Sequence, residues 1–239
     1  MEIIDGIEIH YLSLYIKKHK VLVIADIHLG YEESLNIRGV LIPRMQFKEV
    51  YENLNNLLNN LDVNTVVITG DFKHEFGVIS ETEWRNTLQI IDLILKHTKR
   101  LILIKGNHDV NLGPIARKRN VEIIEYAKFE NILICHGDEI LDNNYFEKSE
   151  IILIGHEHPA IGIKEGRKYE NYKCFLKGKW KDKTLIVLPS FNPLTIGTDV
   201  LRSKLLSPFL QHNITSFHAY IYENGKVYNF GKLKSINEN

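Results

Sequence analysis

Five short apolar runs in this chain each stop at a residue that can bind a metal or carry a proton. That recurrence limits the possible folds more than any other feature. Residues 101–104 run into Gly106-Asn107-His108-Asp109, and 21–25 end at Asp26 and His28. Residues 66–69 end at Gly70-Asp71, 132–135 at His136-Gly137, and 151–154 at Gly155-His156-Glu157-His158. Runs this short and this apolar have the pattern of strands buried on both faces of a parallel sheet. Polar groups at the carboxyl ends of such strands converge on one edge of the sheet. Gly106 lets the backbone turn sharply and approach a ligand closely. Asn107 offers an amide oxygen to a metal, and His108 a movable proton beside it.

Between these runs the period changes. The spacing of Met45, Val50, Leu54, Leu57 and Leu61 predicts a helix opened by Pro43. Ser80 with Glu83 predicts a capping box ahead of a helix that buries Trp84, Leu88, Ile91 and Leu95. A short helix near 114–119 and a strand at 121–125 follow. Residues 29–43 carry no clear period and read as a long loop, a frequent place for function. Residues 2–16 alternate around an Asp5-Gly6 turn, and 216–222 pair with 226–230 across Asn224-Gly225. Residues 185–188 read as a strand, and 200–210 as helical up to Ser207-Pro208. Alternating strands and helices make the fold class α/β. With no internal repeat or linker, residues 1–239 read as a single domain.

The 239 residues are 44% hydrophobic with a formal net charge of +0. That is enough for a sizeable core, and no global field draws the chain to nucleic acid or membrane. A basic surface has to be local. Cys135 and Cys174, the two cysteines, make no disulfide framework; Cys135 reads as a small core residue. No apolar run approaches the ~18 residues needed to span a bilayer. The acidic N-terminus lacks the basic start of a signal peptide. These features predict a cytoplasmic protein with no membrane partner.

The polar strand ends supply Asp26, His28, Asp71, Asn107, His136, His156 and His158. Imidazole, carboxylate and amide donors without a thiolate suit Mn, Fe, Zn or Ni rather than a structural zinc site built on cysteine. Residues i and i+2 of a strand point to the same side, so Asp-x-His and His-x-His each predict two donors aimed at one place. The donors exceed what one ion needs. With one carboxylate shared they divide into two half-sites, and two ions ~3.5–4 Å apart clamp a phosphorus centre for in-line displacement.

The ordered set Asp26-x-His28, Gly70-Asp71, Gly106-Asn107-His108-Asp109, His136-Gly137 and Gly155-His156-x-His158 resembles the calcineurin-like metallophosphoesterases. The resemblance spans residues 26–158. Gly70-Asp71-Phe72-Lys73-His74-Glu75-Phe76, the Arg38-Gly39 stretch ending in Pro43-Arg44, and Leu188-Pro189-Ser190-Phe191-Asn192-Pro193 look like the branch found beside DNA ligases and repair helicases. The resemblance implies two stacked mixed β-sheets flanked by helices, a four-layer sandwich. It implies one ion held by Asp26, His28, Asp71 and His158, and another by Asp71, Asn107, His136 and His156, with manganese the expected metal. It also implies attack by a metal-bridging hydroxide, with His108 protonating the leaving alkoxide and Asp109 orienting it. His74, three residues past Asp71, stands where many members of the superfamily carry an acidic or amide residue.

Residues 164–183 hold eight Lys/Arg against three Asp/Glu, interleaved with Tyr169, Tyr172, Phe175 and Trp180. Bases stack on rings while lysines follow phosphates, so Lys177, Lys179 and Lys181 are candidate strand contacts. Arg38 and Arg44 are candidate phosphate forks, and His74 a candidate substrate contact. The combined expectation is a binuclear phosphodiesterase acting on nucleic acid, DNA above all, with a ligase or helicase association implied by resemblance alone. A small-molecule phosphatase or cyclic-nucleotide phosphodiesterase is the alternative. A non-catalytic protein-binding scaffold needs a missing donor or a missing His108, and none is missing.

Overall fold

The computed structural model describes residues 1–74, 80–109 and 112–236. Glu75 and Phe76 of the flanking word after Asp71 lie outside that range. The described residues form two mixed sheets, the fold class expected. The first runs β1 (Glu2–Ile4), β2 (Ile7–His10), β3 (Ser13–Ile16), β4 (Val21–Ile24), β5 (Thr65–Ile68), β6 (Arg100–Ile104) and β7 (Glu122–Ile124) in that spatial order. Hairpins make β1 to β4 antiparallel. From β4 to β7 the pairing is parallel, because each crossover is long enough to carry a helix. Those helices are α1 (Tyr31–Ile37) with α2 (Gln46–Asn60), then α3 (Glu81–His97), then α4 (Gly113–Arg117).

The second sheet is built from β8 (Tyr126–Phe129), β9 (Ile132–Cys135), β10 (Ile151–Ile154), β11 (Pro159–Glu165), β12 (Lys168–Trp180), β13 (Lys183–Val187), β14 (Thr198–Asp199), β15 (His218–Glu223) and β16 (Lys226–Lys232). Short helices α5 (Asn143–Phe146) and α6 (Leu233–Ile236) complete it. Here β9, β10 and β13 are parallel neighbours. The Asn224-Gly225 hairpin joins β15 to β16 as expected.

Alternation along each strand divides the core. Leu22, Ile24, Val66 and Ile68 pack against Val50 and Leu54 of α2 and Ile90 and Ile94 of α3. Val21, Val23 and Val67 face Leu153, Phe175 and Ile186 of the second sheet. The outer face of that sheet, with Leu133, Ile152 and Leu185, is covered by Phe146, Phe209 and Phe217. Cys135 and Cys174 are buried there and free.

Three local expectations change. Residues 29–43 are not all loop, because 31–37 form α1. The helix shows no apolar period because its inward face is polar, with Glu32 and Ser34 buried. The next helix starts at Gln46 rather than Pro43, and the Gln46 N–H is taken by Glu32 Oε2 at 2.9 Å. Residues 200–207 form no helix; a single 3-10 turn occupies Pro208–Leu210. The N–H groups of Leu206 and Ser207 donate instead to Glu157 Oε2, both at 2.8 Å. No sequence pattern marks β8 as a strand.

Ser80 caps α3, its Oγ accepting the Glu83 N–H at 3.0 Å. The Glu83 carboxylate reaches away to accept the His74 N–H at 3.1 Å, so the reciprocal half of the box serves another segment. Ser80→Ala is expected to lose about 1 kcal/mol of stability. Urea unfolding measures it, and an unchanged midpoint would remove the cap from the account.

Candidate metal centre

The carboxyl ends of β4, β5 and β6 in one sheet and of β9 and β10 in the other meet at one edge of the sandwich. Cross-links fix the meeting. The His156 N–H donates to Asp26 Oδ2 at 2.9 Å, joining the two sheets. The His28 N–H donates to the Asp71 carbonyl at 2.8 Å and the Phe191 N–H to the Ala25 carbonyl at 2.8 Å. Five of the candidate donors, Asp26, His28, Asp71, His156 and His158, have φ between 49° and 64°. Side chains other than glycine seldom take that left-handed form, and such residues cluster at functional sites.

The turn at each of these residues settles where its side chain goes. Asp26, His28 and His158 form one group, and Asp71, His136 and His156 another. His28 Nε2 and His158 Nε2 are 3.2 Å apart, as are His156 Nδ1 and His136 Nε2. The strand pleat predicts that His156 and His158 aim together. The left-handed backbone at both residues sends them to different groups, the division implied by the family resemblance. Asp71 Oδ2 lies between the groups, 3.6 Å from His28 Nε2 and 3.5 Å from His136 Nε2. Asn107 Oδ1 completes the second group, 3.1 Å from His136 Nε2.

Close packing of backbone on donors requires two glycines. A Cβ on Gly106 would overlap the Asp71 backbone nitrogen and Oδ1. A Cβ on Gly70, whose φ is +91°, would overlap the His136 ring.

The donor set fits divalent ions. Asp26 Oδ1 is buried and has no hydrogen-bond partner among the described residues, a costly state unless a positive charge faces it. His158 Nε2 is 3.5 Å from that oxygen and His136 Nδ1 3.8 Å. Burial pushes the Asp26 carboxyl up, but the imidazoles of His158, His136 and His28 outweigh it and hold the group at about 2. Burial, with His158 next, lowers His28 to about 2. Burial and His136 lower His156 to about 4. At neutral pH the His28 and His156 imidazoles are uncharged and their lone pairs are available to a metal. His136 donates Nδ1–H to the Thr69 carbonyl at 2.7 Å, which leaves Nε2 as its donor atom.

His108 sits beside both groups. Its Nδ1 is 2.6 Å from the His74 carbonyl, and since a carbonyl only accepts, Nδ1 carries the proton. Nε2 faces the centre, 4.0 Å from Asp71 Oδ2. The Asp109 carboxylate, expected to orient this ring, instead accepts backbone N–H bonds from Gly106, Phe72 and Lys73 at 3.1, 3.1 and 3.4 Å. It shapes the loop, and the His74 carbonyl orients the imidazole. Burial, then Asp71, pushes the Asp109 carboxyl up to about 7, a rise opposed by the backbone N–H donors. The His74 ring stacks on His108 with centroids 5.4 Å apart, and Tyr31 meets its other side at 4.8 Å. Burial, then the charges of His108 and Arg38, lowers His74 to about 4.

The remaining candidates divide. Arg38 and Arg44 are exposed near α1 and form no ion pair among the described residues. Lys177, Lys179 and Lys181 are not brought to the centre. β12 runs antiparallel to β13, with Leu176 opposite Val187 at the metal end and Trp180 opposite Lys183 at the far end. Lys177 donates to the Ile3 carbonyl, Lys179 to Thr184 Oγ1, and Lys181 lies over the Trp180 ring. Each is held by local neighbours.

Two supports escaped the sequence. Lys73 is fully buried and its Nζ donates to the His108 carbonyl at 2.7 Å. Ser190 Oγ donates to the Asp26 carbonyl at 2.6 Å, and Lys173 Nζ clamps the Ser190 carbonyl at 2.9 Å. Only the Pro189-Ser190-Phe191-Asn192-Pro193 word hinted at the second; nothing marks a lysine for burial in advance.

The family model described as calcineurin-like phosphoesterase matches residues 19–234. The chain is a calcineurin-like phosphoesterase. Among solved structures, this phosphoesterase is similar to the Pseudomonas putida nuclease MPE, with 20% identity, 91% of each chain covered and a TM-score of 0.63. It is also similar to zinc-complexed Vps29 from Entamoeba histolytica, with 19% identity, 87% of this chain and 96% of that chain covered, and a TM-score of 0.38. No curated protein matches the phosphoesterase sequence. The Asp26, His28 and His158 group and the Asp71, His136 and His156 group are candidate binuclear His/Asp metal sites typical of the family.

Proposed function

We propose that this phosphoesterase is a metal-dependent phosphodiesterase that cuts nucleic acid, with DNA the favoured substrate and manganese the favoured ion. The observation that carries the chemistry is Asp71 Oδ2 placed between two donor groups, with His108 Nε2 facing the same oxygen. Two divalent ions held by Asp26, His28, Asp71 and His158 and by Asp71, Asn107, His136 and His156 would supply Lewis acidity to a phosphoryl oxygen and activate water as the nucleophile. The chain's own groups do the rest. Asp71 and Asp26 bring the negative charge that holds two dications in a buried place. His108 keeps its Nδ1 proton on the His74 carbonyl, so the proton given to a leaving oxygen is a second one, carried on Nε2 by the imidazolium form of the ring. His74 and Tyr31 wall the space beside it.

The nucleic-acid reading is supported by the words around Arg38, Asp71 and Ser190 that resemble the repair-associated branch. The nuclease of similar fold adds support. Resemblance to that branch also motivates a helicase or ligase association. Nitrogen and oxygen donors accept Fe, Zn or Ni as well as Mn.

The test is the manganese-loaded chain against bis(p-nitrophenyl) phosphate, p-nitrophenyl phosphate, cyclic nucleotides, and single- and double-stranded DNA. DNA and the aryl diester are expected to be cut. Turnover confined to the monoester or to cyclic nucleotides would replace this reading with a small-molecule phosphatase or cyclic phosphodiesterase.

A further inference from the structure

The stretch from Ile37 to Met45 is an oddity on this surface. Ile37 is 79% exposed, Leu41 89%, and Val40 and Met45 each 49%. Exposed apolar side chains on a loop are ordinary when scattered, but a contiguous set marks a contact surface. This loop is also firmly built. Asn36 Nδ2 donates to the Glu32 carbonyl at 2.8 Å, and Asn36 and Ile42 exchange two bonds of 3.4 Å. The Val40 N–H returns to the Leu35 carbonyl at 2.9 Å. Behind it, Gln46 Nε2 donates to the carbonyl of His28, a candidate metal donor, at 2.7 Å. The apolar side chains are thus held out into solvent by a frame bonded to the metal centre.

Two arginines without ion-pair partners among the described residues, Arg38 and Arg44, interleave with these apolar groups. Arg38 lies within electrostatic reach of His74. With Ile37 it lines the rim of a cleft of about 290 Å³ between α1 and the start of α3, whose other walls carry Glu33 and Glu83, so the arginine's positive charge is presented on the loop side. A nucleic-acid strand matches this pattern, presenting apolar base faces beside phosphates. Leu, Ile and Met side chains are the kind that wedge against base steps, while arginine forks take phosphates.

We propose that residues 37–45 are a substrate-strand contact, with Ile37 and Leu41 packing on bases and Arg38 and Arg44 holding phosphates that flank the cleaved one. This inference rests on the nucleic-acid reading above and assigns that role to this loop instead of to Lys177, Lys179 and Lys181.

The test uses the full manganese-loaded chain with two double variants, Ile37→Ser with Leu41→Ser, and Arg38→Ala with Arg44→Ala. The first is expected to raise KM for DNA by roughly tenfold or more while hydrolysis of bis(p-nitrophenyl) phosphate stays within about twofold. Leu41→Met, which keeps an apolar surface, is expected to retain the wild-type KM for DNA. The second is expected to flatten the salt dependence of DNA binding by roughly 0.7–0.9 log units per lost contact per log unit of salt. Unchanged DNA kinetics in both variants would overturn the loop assignment and leave the nuclease reading standing. Equal loss of DNA and aryl diester in the Ile37/Leu41 variant would overturn it too, by making the loop structural. A wild-type protein that cuts the aryl diester but no DNA would remove both the reading and this inference.

Discussion

His108→Ala lowers kcat for a DNA phosphodiester by about 10²–10⁴-fold, the usual worth of a positioned general acid, while the protein keeps its full metal content. Position motivates both halves. His108 Nε2 points at the centre, yet His108 belongs to neither the Asp26, His28 and His158 group nor the Asp71, His136 and His156 group, and clusters instead with His28 and His74. Its Nδ1 is committed to the His74 carbonyl, so the ring has one nitrogen left for chemistry. Its backbone N–H, which donates to Asp71 Oδ1 at 2.9 Å, survives the substitution. The leaving group offers a second readout. An alkoxide needs a proton and a nitrophenolate needs little help, so the deficit is expected to shrink with the aryl diester. Kinetics with both substrates and elemental analysis of the purified variant check this. Loss of metal from the His108→Ala protein, or an equal deficit for both leaving groups, would refute the acid assignment.

Asp71→Asn is expected to act in the opposite way, abolishing turnover at limiting metal through loss of occupancy. The amide keeps an oxygen to accept the His108 N–H but removes the charge shared by both groups. Thermal unfolding with and without metal reads this directly. An ion that binds only the folded state stabilises it by RT ln(1 + [L]/Kd), about 2.7 kcal/mol at a hundredfold excess over Kd. The wild-type Tm is therefore expected to rise on adding Mn²⁺, and the Asp71→Asn Tm to rise far less. Without metal the order is expected to level or reverse. Burial, with Asp26 adding to it, pushes the Asp71 carboxyl up, so at neutral pH its ionised form weakens the metal-free fold and a neutral amide does not. A Asp71→Asn protein that keeps two ions and the full metal-induced rise in Tm would sink the shared-carboxylate arrangement.

Much of this was written in the chain. Five apolar runs specify strands because burial on both faces demands continuous apolar sequence, and donors at their ends share an edge because parallel strands run the same way. The seven candidate donors and His108 could therefore be picked out as residues of one sheet edge, as could the hairpin at Asn224-Gly225, where the turn chemistry is local. Tertiary structure decided what depends on distant neighbours. His156 and His158 part company because left-handed backbone overrides the strand pleat. Helix α1 hides from periodicity because its inner face is satisfied by Gln46 rather than by apolar packing. Leu206 and Ser207 stay out of a helix because Glu157, far away in sequence, takes their N–H groups. Antiparallel pairing with β13 carries Lys179 and Lys181 to the end of β12 away from the candidate metal centre, a consequence of register that charge counting does not contain. Lys73 is buried because the His108 carbonyl is there to receive it. Short-range pattern sets elements and donor chemistry; the partition of donors and the face that meets substrate follow from which segments the fold brings side by side.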